Sequence, residues 1–102
     1  MYRARDRVEH ERWLDDIQAA ADALDVGAKT RSTAESLFLD DVPEAERSKR
    51  AAAAAALYAA TLIESEQRSQ TAVAEVMDTS RLSIQSRWKE LLCANGFEPP
   101  GW

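Results

Sequence analysis

The sequence predicts an all-α domain, and three observations predict it. Apolar residues recur at three- and four-residue spacings through most of the chain, while no run sustains the two-residue alternation or Val/Ile/Thr enrichment of strands. The central stretch AAAAAALYAATLI is apolar on every side, as a helix enclosed by others would be. A length of 102 residues suits one domain and one core. Residues 1–96 therefore read as a single helical domain, with 97–102 as a tail.

In the first helix Trp13, Leu14, Ile17, Ala20, Ala21 and Leu24 share one face, and Asp15, Asp16 and Asp22 take the other. Arg3, Arg5, Asp6, Arg7 and Glu9 read as its solvated start, the alternative being an arm that grips DNA. Gly27 is expected to close it in the left-handed conformation. A second helix is expected from about Arg31 to Asp41, burying Ala34, Leu37, Phe38 and Val42, with Pro43 breaking the chain after it. The third, from about Ala45 to Glu64, holds the Ala-rich run. Alanine lets neighbouring helices approach closely, and Leu57, Tyr58, Leu62 and Ile63 would be stranded on a surface helix. Helix three is thus expected at the centre.

Two shorter helices come next, at about Gln70 to Met77 and Arg81 to Ala94, with Gly96 closing the last. Ser69 and Ser80 stand where a serine oxygen can accept a bond from an otherwise orphan amide. Val73, Ala74 and Val76 or Met77 face inward, as do Ile84, Trp88, Leu91 and Leu92. The connection Asp78-Thr79-Ser80 is short enough to force a sharp crossing, so 69–94 reads as a helix-turn-helix. In the tail, Phe97 and Trp102 either dock on the body or stay loose.

Composition excludes several function classes. The thirteen residues Ala51 to Ile63 carry no charge, but a membrane span needs roughly 20 apolar residues. No membrane partner is implied. The charged N-terminus MYRARDRVEHERW lacks the apolar core of a secretory signal, so a cytoplasmic location is expected. One cysteine and one histidine cannot supply a structural zinc site, and no metal or cofactor is implied. Nor is an enzyme. Cys93 comes directly after Leu91 and Leu92 and is expected to be buried, His10 sits in a charged stretch, and the pairs Asp15-Asp16 and Asp40-Asp41 diverge on their helices. Arginine far outnumbers lysine, and with the many alanines and acids this usage suits a salt-adapted, haloarchaeal source.

The net charge of −5 argues against a protein that coats nucleic acid indiscriminately. Its distribution is uneven. Eleven acids face three bases from Glu9 to Glu46, whereas Arg47 to Trp102 is nearly balanced. From Thr79 to Gly96 three bases outnumber one acid. The polar side of the last helix carries Arg81, Ser83, Gln85, Ser86 and Lys89, groups able to bond base edges and phosphates. Arginine can bond guanine through two atoms, glutamine can do so with adenine, and serine is less selective.

The segment SQTAVAEVMDTSRLSIQSRWKEL resembles the last two helices of a cyclin repeat of transcription initiation factor IIB and its archaeal counterpart, whose pattern runs approximately TQxxIAxxxGVTxVTIRxRYxEL. Gln70, Val73, Ala74, Ser80, Ser83, Ile84, Arg87, Trp88, Glu90 and Leu91 fit it or replace it conservatively. The Ala-rich run is similar to the family's third helix. The resemblance implies a five-helix cyclin-like fold and a transcription-associated DNA-binding module with double-stranded DNA, and TATA-binding protein or RNA polymerase, as partners. Helix five would be the recognition helix. Arg81, Leu82, Gln85 and Ser86 would then face bases, with Arg47, Lys49, Arg50, Arg87 and Lys89 at phosphates. A family member carries two repeats and a zinc ribbon, so a lone repeat would need a homodimer or partner factor. The family's base-reading arginine falls at Gln85, its nearby valine at Leu82 and its turn glycine at Asp78. The alternative is an adaptor that docks on the transcription machinery through its acidic half without binding DNA.

Overall fold

A computed structural model of the chain describes residues 9–40 and 42–94. The described residues form five helices: α1 (Glu11–Leu24), α2 (Ala28–Asp40), α3 (Glu46–Ile63), α4 (Gln70–Met77) and α5 (Arg81–Ala94). Among them there is no strand, in accord with the all-α expectation. The N-terminal arginines, Asp41, Gly96 and the tail with Phe97 and Trp102 lie outside the described residues.

Helix α3 is the axis of the molecule and packs against each of the other four. Every residue from Ala52 to Thr61 is buried. Methyl side chains over most of that surface let four helices close on one, and the bulk is supplied from outside by Phe38, Ile17, Ile84 and Trp88, each at most 1% exposed. Helix α1 turns Trp13, Leu14, Ile17, Ala20 and Ala21 inward. In α2 the buried residues include Ala34, Leu37 and Phe38, as the spacing predicts. Val42 is half-buried against the same core. No helix among the described residues is long and apolar enough to cross a membrane.

The boundary between α1 and α2 departs from expectation. Asp25, not Gly27, adopts the left-handed conformation (φ 58°), and the Val26 amide reaches back to Ala21 O at 3.2 Å. Helix α2 then begins at Ala28, about one turn before the expected Arg31. The reason is tertiary. Glu66, in the loop before α4, accepts from the Gly27 amide at 3.0 Å and from the Thr30 hydroxyl at 2.5 Å, so it satisfies donors at the opening of α2 from across the fold. These bonds hold the Glu66 carboxyl below its ordinary pKa, Thr30 first and Gly27 next. Arg68 completes the clamp by donating to Leu24 O and Asp25 O at the end of α1.

Candidate nucleic-acid interface

The last two helices are built largely by their own sequence. Ser69 accepts from the Ala72 amide at 3.0 Å and opens α4; Ser80 accepts from the Ser83 amide at 3.1 Å and opens α5. Between them Asp78 takes the left-handed conformation (φ 55°), and the Thr79 amide reaches Ala74 O at 3.0 Å. The chain thereby reverses in three residues. Ala74 is buried at this crossing, and its small side chain admits the close approach.

Helix α5 is seated by Ile84, Trp88, Leu91 and Leu92, all at most 5% exposed. Trp88 stands edge-on to Tyr58 of α3, with ring centroids 5.4 Å apart and planes at 82°. Tyr58 is accordingly a core residue. The choice between Val76 and Met77 also falls out clearly: Met77 is buried and Val76 is on the surface. With its inner face so fixed, α5 presents Arg81, Leu82, Gln85, Ser86 and Lys89 outward, all exposed.

The outward side chains differ in what they have left to offer. Arg81 Nη1 lies 3.5 Å from Gln70 Oε1, at the rim facing the start of α4. The Ser86 hydroxyl donates to Ser83 O at 3.1 Å, and Ser83 in turn shares a 2.9 Å bond with Ser80. Leu82 is 68% exposed, the more open of the two large exposed hydrophobics among the described residues. Lys89 Nζ sits 5.6 Å from the Trp88 ring centroid. Arg87 is half-buried and, with Ala52, Glu90 and Leu91, lines a small pocket between α3 and α5.

A second basic group comes from the first turn of α3. Arg50 donates to Met77 O at 3.2 Å and lies 5.3 Å over the Trp13 ring, so this turn is pinned beside the reversal between α4 and α5. Arg50 also stands 4.0 Å from Asp16. These intramolecular contacts were hidden from the sequence, which marked Arg50 only as a candidate phosphate ligand. Arg47 is exposed, and Lys49 pairs with Glu46 at 3.2 Å.

Two further expectations meet the structure here. Cys93 is exposed, contrary to the burial expected from its apolar neighbours. It lies eleven residues after Leu82 and seven after Ser86, which puts it on the outward stripe. His10 stacks edge-on to Phe38, with ring centroids 6.1 Å apart.

Residues 9–94 match the family described as the transcription factor TFIIB repeat. The chain is similar to transcription initiation factor IIB 2 of Thermococcus kodakarensis, 33% identical over 87 residues, covering 82% of this chain and 28% of that protein. It is 34% identical over 89 residues to transcription initiation factor IIB of Pyrococcus abyssi, covering 84% of this chain and 30% of the relative. The factor of Methanopyrus kandleri is 46% identical over a shorter stretch of 46 residues. The chain thus spans less than a third of the length of these relatives.

Proposed function

The chain belongs to the transcription factor TFIIB repeat family, and from that premise we propose that it is a transcription-associated DNA-binding module with α5 as its recognition helix. The observation that carries this reading is the two-sidedness of α5. Its inner face is locked into the core by Ile84, Trp88, Leu91 and Leu92, and its outer face is open, polar and basic. A rigid helix with such a face is what a major groove admits. In this reading Arg81, Leu82, Gln85 and Ser86 face base edges. Arg87 and Lys89 approach phosphates on the rim, and Arg47, Lys49 and Arg50 approach them from the turn of α3 beside the helix reversal. Phosphate contacts position the module, and base contacts specify the site.

One small module makes few contacts, so a homodimer, TATA-binding protein or RNA polymerase completes the assembly. Replacing Lys89 by Ala is expected to weaken duplex binding equally for all sequences and to reduce the salt slope by about 1. Replacing Gln85 by Ala is expected to change sequence preference instead. A salt titration of both variants checks the pair. Equal, salt-insensitive binding by the two would sink the recognition-helix reading.

The exposed acids Glu11, Asp15, Asp22 and Asp25 on α1 and its C-terminal turn favour one second reading, an adaptor docking on a basic protein surface. Capture of TATA-binding protein or polymerase by the chain after nuclease treatment, with no duplex binding, is the outcome that selects it.

A further inference from the structure

The outward stripe of α5 holds unusual chemistry for reading guanine. At its centre stand an exposed leucine, an exposed glutamine and a serine whose hydroxyl hydrogen is already used on Ser83 O. The Ser86 oxygen keeps lone pairs for a further partner. The one guanidinium among the four base-facing candidates, Arg81, is the first residue of α5, with Nη1 3.5 Å from Gln70 Oε1.

We propose that α5 selects an A·T base pair, with Gln85 bonding the adenine edge and Leu82 packing on the thymine methyl. This rests on the DNA-binding reading above and adds the base class. In the major groove adenine presents an acceptor (N7) beside a donor (N6), which a glutamine amide matches through both of its atoms. Thymine alone among the four bases presents a methyl group there, and an apolar side chain is its complement. Leu82 and Gln85 are three residues apart, about 4.5 Å along the helix axis. That span is comparable to one base-pair step of about 3.4 Å, so both side chains reach the same or adjacent pairs. Ser86, one residue on and on the same side, can bond either kind of base edge and leaves the selection to Gln85 and Leu82.

Burial argues the same way. An exposed leucine on a surface otherwise polar and charged contributes nothing to the core, and Ile84 and Trp88 already fill the seat beneath it. Its side chain is open to an apolar partner such as a base methyl group. Lys89 and Arg87 flanking the stripe favour a polyanion as that molecule.

The test uses the whole chain and duplexes recovered from a random library at low, stated salt. In the best recovered site, each thymine is replaced by uracil, which keeps the pairing and O4 but lacks the methyl. Each adenine is replaced by 7-deazaadenine, which lacks N7. One uracil substitution is expected to weaken wild-type binding about fourfold, the value of one buried methyl, and to leave Leu82→Ala indifferent. One deazaadenine substitution is expected to cost the wild type about tenfold and to leave Gln85→Ala indifferent. Both side chains are exposed, so melting curves of the two variants should match the wild type and confirm that folding is not the cause. A site defined by guanine and lost in Arg81→Ala overturns the proposal. So does duplex binding that ignores both base analogues, which leaves DNA binding itself standing. No duplex binding by the wild type overturns both readings.

Discussion

Two reversals in this chain look alike and are held in opposite ways. After α1, Asp25 turns left-handed and the Val26 amide bonds five residues back; after α4, Asp78 does the same and the Thr79 amide bonds five residues back. The third such residue, Ser65, ends α3 in the same manner, with the Glu66 amide on Thr61 O at 2.8 Å. The helices that begin after the two aspartates are capped from different distances. The start of α5 is capped by Ser80, three residues from the amide it satisfies. The start of α2 is capped by Glu66, 39 residues from the Gly27 amide, and the end of α1 by Arg68. One junction is specified locally, the other by the fold. A local cap lets the helix-turn-helix keep its geometry with an open face, whereas the α1–α2 junction is bound to the loop before α4.

The largest test breaks the distant clamp. Arg68 donates to Leu24 O, Asp25 O, Glu66 O and Gln67 O, and the four carbonyls share one half-buried guanidinium. Arg68→Ala is expected to cost about 2 kcal/mol of global stability, the range for charge-assisted bonds partly open to water. Amide exchange should accelerate most between Ala21 and Thr30 and least in α5. Uniform acceleration would mean that the two junctions are not independent.

Removing the local cap is the matching, smaller perturbation. Ser80→Ala is expected to cost about 1 kcal/mol, typical of a lost N-cap. Its exchange signature should centre on Leu82 to Gln85, and α1 and α2 should be unaffected. The same change at Ser69 is expected to act on the first turn of α4, where the Ala72 amide loses its partner.

The same contrast explains which parts of the fold could be read from the sequence. The boundaries of α4 and α5 were legible because Ser69, Asp78 and Ser80 act on neighbours within a few residues. The central position of α3 was legible from its uniform apolarity. The start of α2 was not, since the residue that makes Ala28 helical belongs to another loop. Gly27 invites a left-handed turn by its identity, yet it offers its amide to Glu66 at 3.0 Å instead. The sequence marks Arg50 as a candidate phosphate ligand and hides its bond to Met77 O for the same reason, because Met77 is 27 residues away. The outward stripe of α5 was legible in Arg81, Gln85, Ser86 and Lys89. Cys93 is exposed because it follows the periodicity of Leu82 and Ser86 and not its adjacency to Leu91 and Leu92.

Both aspartate turns bear a modest backbone cost that glycine would relieve. Asp78→Gly and Asp25→Gly are each expected to raise stability by about 0.5 kcal/mol, the relief of a left-handed residue less the added freedom of the unfolded chain. A loss at one position alone, read by thermal melting, would show that its aspartate side chain does more than tolerate the turn.

The smallest effect expected is a pH dependence confined to the distant clamp. The Glu66 carboxyl is held below its ordinary pKa by the Thr30 hydroxyl first, then the Gly27 amide, with Arg68 and Arg31 adding attraction. A depressed folded-state pKa means that the unfolded chain binds the proton more readily. The stabilisation is therefore complete above the ordinary glutamate range and is lost as pH falls through that range to the lowered folded value. Because the carboxylate is open to solvent, screening keeps the effect modest and sensitive to salt. Glu66→Gln should be less stable than the wild type at neutral pH, with the gap closing in acid. A gap that stays constant from neutral pH to below the carboxylate range would assign the role of Glu66 to its shape and not its charge. The Ser80 junction has no titrating group in its cap, so Ser80→Ala should differ from the wild type equally at every pH at which both fold.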